Sequence, residues 1–200
     1  MRNIKLTFIL ILFRLMLPAQ QVLLDSASLF SAKEFTSLDS ALKYKNDVIR
    51  LNLRKKKLKE FPAEILQLKN LQYLDISKNN IRQLPDSIVT LKNLQYLACS
   101  KTGLETVPVN IGELSNLKYI NLSQNEIASL PYGFGSLTNL EYADFWDNNL
   151  DNFPGSMQQL SKLKKLDLRN IIISRAKQDA LQQQLPHTKI YFSAPCNCGG

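Results

Sequence analysis

The sequence predicts an α/β solenoid with short parallel strands in one curved sheet on the concave side and brief helical turns on the convex side. Two observations predict this fold. Apolar residues recur every 23 residues from Val48 onward, and each period begins with strand-like alternation. In the first five periods a Pro then precedes apolar residues at helical spacing. Stacked copies of such a unit bury apolar side chains that one copy alone leaves in water.

The 23-residue periods align position by position. Their first residues are Val48, Leu71, Leu94, Leu117, Leu140 and Leu163. Positions four and six are apolar in all six periods, so they point to one face of a strand while positions three, five and seven point to the other. After the Pro, apolar positions eighteen and twenty-one lie three residues apart, as one face of a helical turn requires. Each period therefore predicts a strand followed by a helical return.

The pattern L-x-x-L-x-L-x-x-N-x-L, followed by x-x-L-P-x-x-I-x-x-L-x-x, resembles the 23-residue form of the leucine-rich repeat. Residues 71–93 and 117–139 match it completely. The chain is similar to Ras-suppressor and disease-resistance-like repeats and to small secreted repeat proteins of bacteria. The resemblance covers about two thirds of the chain and implies a horseshoe-shaped solenoid that binds partners, usually proteins, on its concave sheet.

Two departures from the repeat pattern concern the interior. Position nine is Asn in three periods but Thr102 in the third, and a hydroxyl replaces only part of what an amide does. Ala143 is far smaller than its counterparts at position four, and Phe134 and Phe145 enlarge the same region. We interpret these Phe residues as volume compensation, because protein interiors fill to crystal-like density.

Residues 1–19 predict a secretory signal peptide, with a basic start, an apolar stretch over 6–17 and a cleavage site at Ala19. The apolar stretch is too short to span a bilayer, which needs about 20 residues. We therefore expect a secreted or periplasmic protein. Arg14 interrupts the apolar stretch, so an uncleaved or cytoplasmic chain stays the alternative.

The sequence divides the rest of the chain into a linker with an N-terminal capping helix (20–47), six repeats (48–173), a C-terminal cap (174–192) and a flexible tail (193–200). Phe35, Leu38 and Leu42 fall at helical spacing and predict the capping helix. Downstream, a helix from Ser174 to about Leu185 and a last strand over 189–192 are expected.

The composition leaves little for catalysis. His187 is the sole His, so the sequence does not favour a Ser-His-Asp triad or a His-based metal site. Cys99 falls at an inward position, and Cys196 and Cys198 without a second cluster are a weak zinc signal. We expect no enzyme activity, no cofactor and no metal.

The outward strand positions carry the main functional signal. Position three is Tyr73, Tyr96, Tyr119 and Tyr142 in four successive periods, and Trp146 lies at position seven near the last of them. Parallel strands about 4.8 Å apart place these Tyr in a ladder roughly 14 Å long, with rings projecting to solvent. Tyr and Trp often anchor interfaces, which favours partner binding. The alternative is that the rings pack along the sheet for stability.

Charge is distributed unevenly along the same surface. Arg50 and Arg54 lie at the first repeat, whereas Asp144 belongs to an acidic group near the other end with Glu141, Asp147 and Asp151. This charge distribution suits a protein partner with complementary charge. The alternative is that the charges only keep the end repeat solvated. The formal net charge is +8, and without residues 1–19 the chain keeps 22 basic against 17 acidic residues.

The predicted binding surface therefore comprises eight residues. They are Tyr73, Tyr96, Tyr119, Tyr142, Trp146, Arg50, Arg54 and Asp144. We expect a protein partner, with a carbohydrate that stacks on the aromatic rings as the alternative. Nucleic acid fits poorly, because the basic stripe covers one repeat and the acidic end repels phosphates. We expect no membrane span and a monomer.

Overall fold

The computed structural model describes residues 22–193. The predicted signal peptide, its cleavage site at Ala19, and Cys196 and Cys198 in the predicted tail lie outside these residues. Among the described residues, no helix is long and apolar enough to cross a membrane. Residues 22–193 also contain no group of three or more His, Cys, Asp or Glu placed to hold a metal ion.

One parallel sheet runs through the described chain, with its eight strands side by side in chain order. They are β1 Glu34–Phe35, β2 Arg50–Asn52, β3 Tyr73–Asp75, β4 Tyr96–Ala98, β5 Tyr119–Asn121, β6 Tyr142–Asp144, β7 Lys165–Leu168 and β8 Lys189–Phe192. From β2 to β7 the strands pair at identical repeat positions, so that Tyr73 pairs with Tyr96 and Leu74 with Leu97. The predicted α/β solenoid with a parallel sheet is confirmed.

The predicted helical turns are 3₁₀ helices of three to five residues on the side opposite the sheet. They span Ala63–Gln67, Asp86–Thr90, Ile111–Glu113, Tyr132–Ser136 and Gly155–Gln159. Pro is the N-cap residue of four of these five helices. Pro suits this place because its fixed φ is compatible with a helix start and its missing N–H would have no partner there.

The core lies between the strands and the 3₁₀ helices and runs the length of the solenoid. Leu97 and Ile120 at position four are fully buried, as are Ile88 and Ile111 from the helical turns. Ala143 is also buried, and the rings of Phe134 and Phe145 pack 5.6 Å apart in the same region. Phe134 and Phe145 thus lie in the core in the same region as the small Ala143.

A ladder of Asn side chains fastens neighbouring repeats at position nine. Asn125 Nδ2 donates to the carbonyl of Leu122 in its own repeat and of Cys99 in the preceding repeat, at 2.9 and 2.8 Å. Asn79 and Asn148 make the same pair of bonds in their repeats. The Thr102 hydroxyl lies within hydrogen-bond distance of the carbonyl of Cys99 in its own repeat and of Asn125 Oδ1, and its single proton serves these two acceptors. The hydroxyl therefore provides only part of the amide's bonds.

The N-terminal part differs from the sequence-based expectation. Helix α1 spans Ser26–Ser31 with Asp25 as its N-cap, and α2 spans Leu38–Lys43 with Ser37 as its N-cap. Phe35, expected on the capping helix, lies instead in β1, whose residues pair with β2. Its side chain still enters the core, because the strand directs it inward where the sheet would otherwise end.

The C-terminal end is covered by helix α3, Arg175–Gln184, and by β8. Ser174 caps α3 by accepting a hydrogen bond from the amide of Lys177 at 3.4 Å. Leu181 and Leu185 are buried in the core, and Ile190 and Phe192 pack against it. The helix and strand lie where the sequence predicts them.

Candidate partner-binding surface

The Tyr residues at position three form a ladder across the concave face. The rings of Tyr73, Tyr96 and Tyr119 stack at 4.3 Å between successive centroids and are nearly parallel. Tyr119 and Tyr142 are 6.3 Å apart and tilted by 39°. The strand register aligns the four residues, and the ladder opens between its last two rings.

The first part of the ladder is covered by residues 22–31, which we call the N-terminal segment. Phe30 meets the rings of Tyr73 and Tyr96 edge-on, each at 5.8 Å between centroids. Leu29 beside it is buried. An edge-to-face contact of this kind stabilises by about 0.5–1.5 kcal/mol beyond the buried area. The N-terminal segment therefore packs on the concave face itself.

Two buried amides hold the backbone of the N-terminal segment. Gln72 accepts from the amide of Leu24 at 2.9 Å and donates to the carbonyl of Val22 at 3.3 Å. Gln95 donates to the carbonyl of Leu24 at 2.9 Å and to Gln72 Oε1 at 2.8 Å. These Gln occupy position two of successive repeats, immediately before the Tyr at position three.

The expectation that all four Tyr rings project to solvent is wrong for Tyr73. Phe30 and the neighbouring ring leave Tyr73 only 6% exposed, and Tyr96 is partly buried. Burial raises the pKa of both phenols, with the nearby carboxylate of Asp75 adding to the effect at Tyr73. Tyr73 and Tyr96 form what we call the closed half of the concave face.

Arg50 is committed to the N-terminal segment and to β1. Its guanidinium donates to the carbonyl of Phe30 at 2.6 Å and pairs with Glu34 at 2.9 Å. The guanidinium also lies 4.7 Å from the centroid of the Tyr73 ring, within cation–π range. Arg50 thus holds the N-terminal segment against the closed half.

Arg54 lies at a basic edge at the end of the strands. It is 3.7 Å from Asp75, and Lys55, Lys78 and Lys101 occupy position eight of three successive repeats. The charges of Arg54 and Lys55 lower the pKa of Lys78. These cations are close enough to repel one another, so this edge attracts anionic groups.

Tyr119, Tyr142 and Trp146 form the open half of the concave face. Tyr119 and Tyr142 are half-buried, as Tyr96 is, and Trp146 is 37% exposed. Asp144 lies between them on β6 and accepts from the amide of Trp146 at 3.0 Å and from Asn121 Nδ2 at 3.2 Å. Partial burial raises the pKa of Asp144, and the carboxylate of Asp167 on the next strand contributes.

The acidic group predicted around Asp144 is distributed over separate ion pairs and hydrogen bonds. Glu141 pairs with Lys164 at 2.5 Å, and that bond raises the pKa of Lys164. Asp151 pairs with Lys177 at 2.5 Å on the C-terminal cap. Asp147 accepts from Asn170 Nδ2. Asp144 alone among these acids lies on a strand of the concave sheet.

The structure differs from the sequence-based expectation at one outward position and extends it at another. Position seven holds three Ser that are buried, and Ser77 Oγ accepts from the amide of Ser100 at 3.0 Å. Position five, which the predicted surface includes only through Asp144, also places Asn121 and Asp167 beside that residue. Arg169 then pairs with Asp167 at 2.6 Å. Strand alternation was the available signal, since positions three and five share a face.

A groove separates helix α1 from the open half of the concave face. Its volume is about 320 Å³. It is lined by Ser26, Leu29, Phe30, Gln95, Tyr96, Lys118, Tyr119, Glu141 and Tyr142. One wall is therefore the N-terminal segment, and the other is the Tyr ladder from Tyr96 to Tyr142.

Comparisons with known proteins agree with this architecture. A family model described as a leucine-rich repeat region matches residues 42–114, and a second, Leucine Rich Repeat, matches residues 116–137. The chain is a leucine-rich repeat protein. No curated protein sequence matches it significantly.

Solved structures include several similar leucine-rich repeat proteins. One from Leptospira interrogans is 29% identical with a TM-score of 0.60, over 81% of this chain and 53% of that one. Internalin C2 of Listeria monocytogenes shares the fold at 23% identity and a TM-score of 0.63, over 76% of this chain and 67% of that one. The chain therefore spans about half the length of the Leptospira protein.

A plant receptor provides a third comparison. The peptide hormone receptor RGFR1, solved in complex with RGF2, is 28% identical with a TM-score of 0.53. The match covers 57% of this chain and 19% of that one. The repeat units, rather than whole proteins, are what the two have in common.

Proposed function

We propose that this leucine-rich repeat protein is a non-catalytic module that binds a protein partner through the open half of its concave face. The observation that carries the proposal is the contrast within the Tyr ladder. Two rings are covered by the chain itself, whereas Tyr142 and Trp146 stay accessible beside charged groups. Rigid aromatic side chains with polar tips are the usual anchors of protein interfaces.

The scaffold supports this role because both neighbours of each central strand fix its position. Hydrogen bonds along the sheet and the Asn ladder hold the outward side chains in register. A surface that is already ordered loses little conformational entropy when a partner binds. RGFR1, a receptor with similar repeats, was solved in complex with the peptide hormone RGF2, which supports the proposal.

A carbohydrate partner is less well supported than the sequence suggests. A sugar platform needs several accessible rings in a row, and the N-terminal segment covers Tyr73 and Tyr96. The accessible aromatic surface is reduced to the open half. Charged groups such as Asp144 and Arg169 border it, which favours a polar protein surface.

The test is quantitative affinity capture from extracts of the source organism, followed by direct binding measurements with each purified candidate partner. Tyr142→Ala together with Trp146→Ala should weaken binding by about 2 kcal/mol or more, because interface anchors of this type carry such losses. Tyr132→Ala, which removes a 73% exposed ring from a 3₁₀ helix away from the sheet, is the matched control. Unchanged binding by the double variant, with its circular dichroism intact, contradicts the proposal.

We also propose that the chain is exported and that residues 1–19 are removed, on the strength of the N-terminal sequence pattern. Intact-mass measurement of protein isolated from its host should give a chain that starts near Gln20. A cytosolic chain with an intact Met1 contradicts export. Light scattering after gel filtration should give the mass of a monomer, and a dimer mass contradicts that expectation.

A further inference from the structure

The groove beside helix α1 is related by the repeat to a site that the chain already fills. In the closed half, Phe30 meets the rings of Tyr73 and Tyr96 edge-on. Two repeats further along, Tyr119 and Tyr142 stand at the same strand position in the same register. Side chains at equivalent repeat positions project in the same way, so this second pair repeats the floor on which Phe30 lies.

The second pair of rings is spread more widely than the first. Tyr73 and Tyr96 are 4.3 Å apart and nearly parallel, whereas Tyr119 and Tyr142 are 6.3 Å apart and tilted by 39°. With Leu29 and Phe30 on the opposite wall, the groove of about 320 Å³ is aromatic and aliphatic on two sides. These walls suit another aromatic side chain, which would meet the Tyr rings edge-on or tilted.

The polar residues next to the rings differ between the two sites. Gln72 and Gln95 at position two bind the backbone of the N-terminal segment in the closed half. The corresponding residues of the open half are Lys118 and Glu141. Glu141 is paired with Lys164, while Lys118 has no carboxylate within ion-pair distance among the described residues. The groove therefore presents a cation beside its aromatic floor.

We propose that the groove binds a peptide segment of the partner that carries an aromatic residue with a carboxylate next to it. The aromatic ring enters between Phe30 and the pair Tyr119–Tyr142, and the carboxylate faces Lys118. This inference rests on the proposed function and specifies the chemistry of the partner. It also gives helix α1 a role, because one face of the helix covers the closed half and another forms a wall of the groove.

The test uses a synthetic peptide, Gly-Asp-Phe-Asp-Gly, acetylated and amidated at its ends, titrated into the isotope-labelled full chain. Chemical shifts should move at Lys118, Tyr119 and Tyr142. A peptide with Ala in place of Phe should bind at least tenfold more weakly, and one with Asn in place of both Asp about threefold to tenfold more weakly. Equal binding of the Phe and Ala peptides, shifts confined to other surfaces, or no binding at millimolar concentration overturns the proposal.

Matched variants sharpen the result. Tyr142→Ala and Lys118→Gln should each weaken the Phe peptide, while Tyr132→Ala and Lys59→Gln, at exposed positions outside the groove, should leave it unchanged. The map of shifts in the unaltered chain keeps the test decisive if Tyr142→Ala fails to fold.

The peptide experiment separates this inference from the proposed function. If Tyr142→Ala with Trp146→Ala abolishes capture of the native partner while the peptide does not bind, the concave face binds the partner and the aromatic anchor is wrong. If the peptide binds in the groove while that double variant captures the partner normally, the groove has the proposed chemistry but the partner binds elsewhere, and the proposed function is wrong.

Discussion

The closed and open halves of the concave face carry the same residue at the same strand position in different environments. Tyr73 and Tyr96 are packed under Phe30, whereas Tyr119 and Tyr142 line a groove that Tyr96 also borders. The repeat fixes where each ring lies, but a segment outside the repeats decides whether it is covered. A repeated residue therefore serves stability in one half and remains available for binding in the other.

Inward residues should be equally important for stability in both halves. Their substitution should cause the largest loss in the free energy of unfolding. Leu97→Ala in the closed half and Leu166→Ala in the open half each leave a cavity at a fully buried position. Each should reduce the free energy of unfolding by roughly 2–5 kcal/mol in urea titrations. A large loss in one half with almost none in the other would contradict a single continuous core.

The outward rings should separate the two halves. Tyr96→Ala removes contacts with Tyr73, Tyr119 and Phe30, so it should cost about 2 kcal/mol or more of stability. Tyr142→Ala loses one tilted contact with Tyr119 and two long cation–π contacts with Lys164 and Lys165, and it should cost less than about 1 kcal/mol. Chemical denaturation of both variants in one buffer makes the comparison, and similar losses would mean that the cover is not a stabilising contact.

Removing the cover tests its effect on the closed half directly. Phe30→Ala should cost about 1 kcal/mol and accelerate hydrogen exchange at the amides of Leu24 and Leu29, because both belong to the N-terminal segment. Amides of β6, in the open half, should keep their protection. Tyr132→Ala is the control, and uniform acceleration in both halves would show global destabilisation instead of release of the segment.

The smallest expected effect is a pH dependence in the open half. Burial holds the pKa of Asp144 above its ordinary value, so the folded chain binds this proton more tightly than the unfolded chain. The contribution of Asp144 to stability is therefore greatest below its ordinary pKa and falls as the pH rises through the raised pKa.

Asp144→Asn should remove that fall and stabilise the protein at neutral pH by less than about 1 kcal/mol, since it also relieves repulsion from Asp167 on the paired strand. Thermal unfolding at pH 3 and pH 7 measures the difference. Asp47→Asn, at an exposed site, is the control. Equal effects of Asp144→Asn at the two pH values would contradict the assignment.

The fold was predictable because the 23-residue spacing specifies which side chains stack on one another. Once Leu97 is placed inward, Tyr96 must point outward, and the next repeat aligns Tyr119 with it. The same logic predicted both the Tyr ladder and the weaker substitution at Thr102.

The cover could not be predicted in this way, because Phe30 lies outside the periodic part and contacts residues far away in the chain. Its helix has six residues, too few to show a reliable amphipathic pattern. Gln72 and Gln95 offered one signal, since the same amide at the same position of adjacent repeats is an unusual residue to bury. The sequence pattern places Arg50 on the partner-binding surface because it does not show that Phe30 and Glu34 bind the guanidinium.

Thr102 marks a junction that should separate more easily under mechanical tension than the junctions spanned by Asn79, Asn125 and Asn148. Asn79, Asn125 and Asn148 each reach back to a carbonyl of the preceding repeat, but Thr102 does not, so no amide of this ladder links the third repeat to the second. The N-terminal segment crosses the same boundary, with Phe30 touching Tyr73 and Tyr96, one ring from each repeat. A chain stretched from its N-terminus would lose the Phe30 contacts first, and the second and third repeats would then be held together by their strand pairing and by the Gln72–Gln95 and Ser77–Ser100 hydrogen bonds.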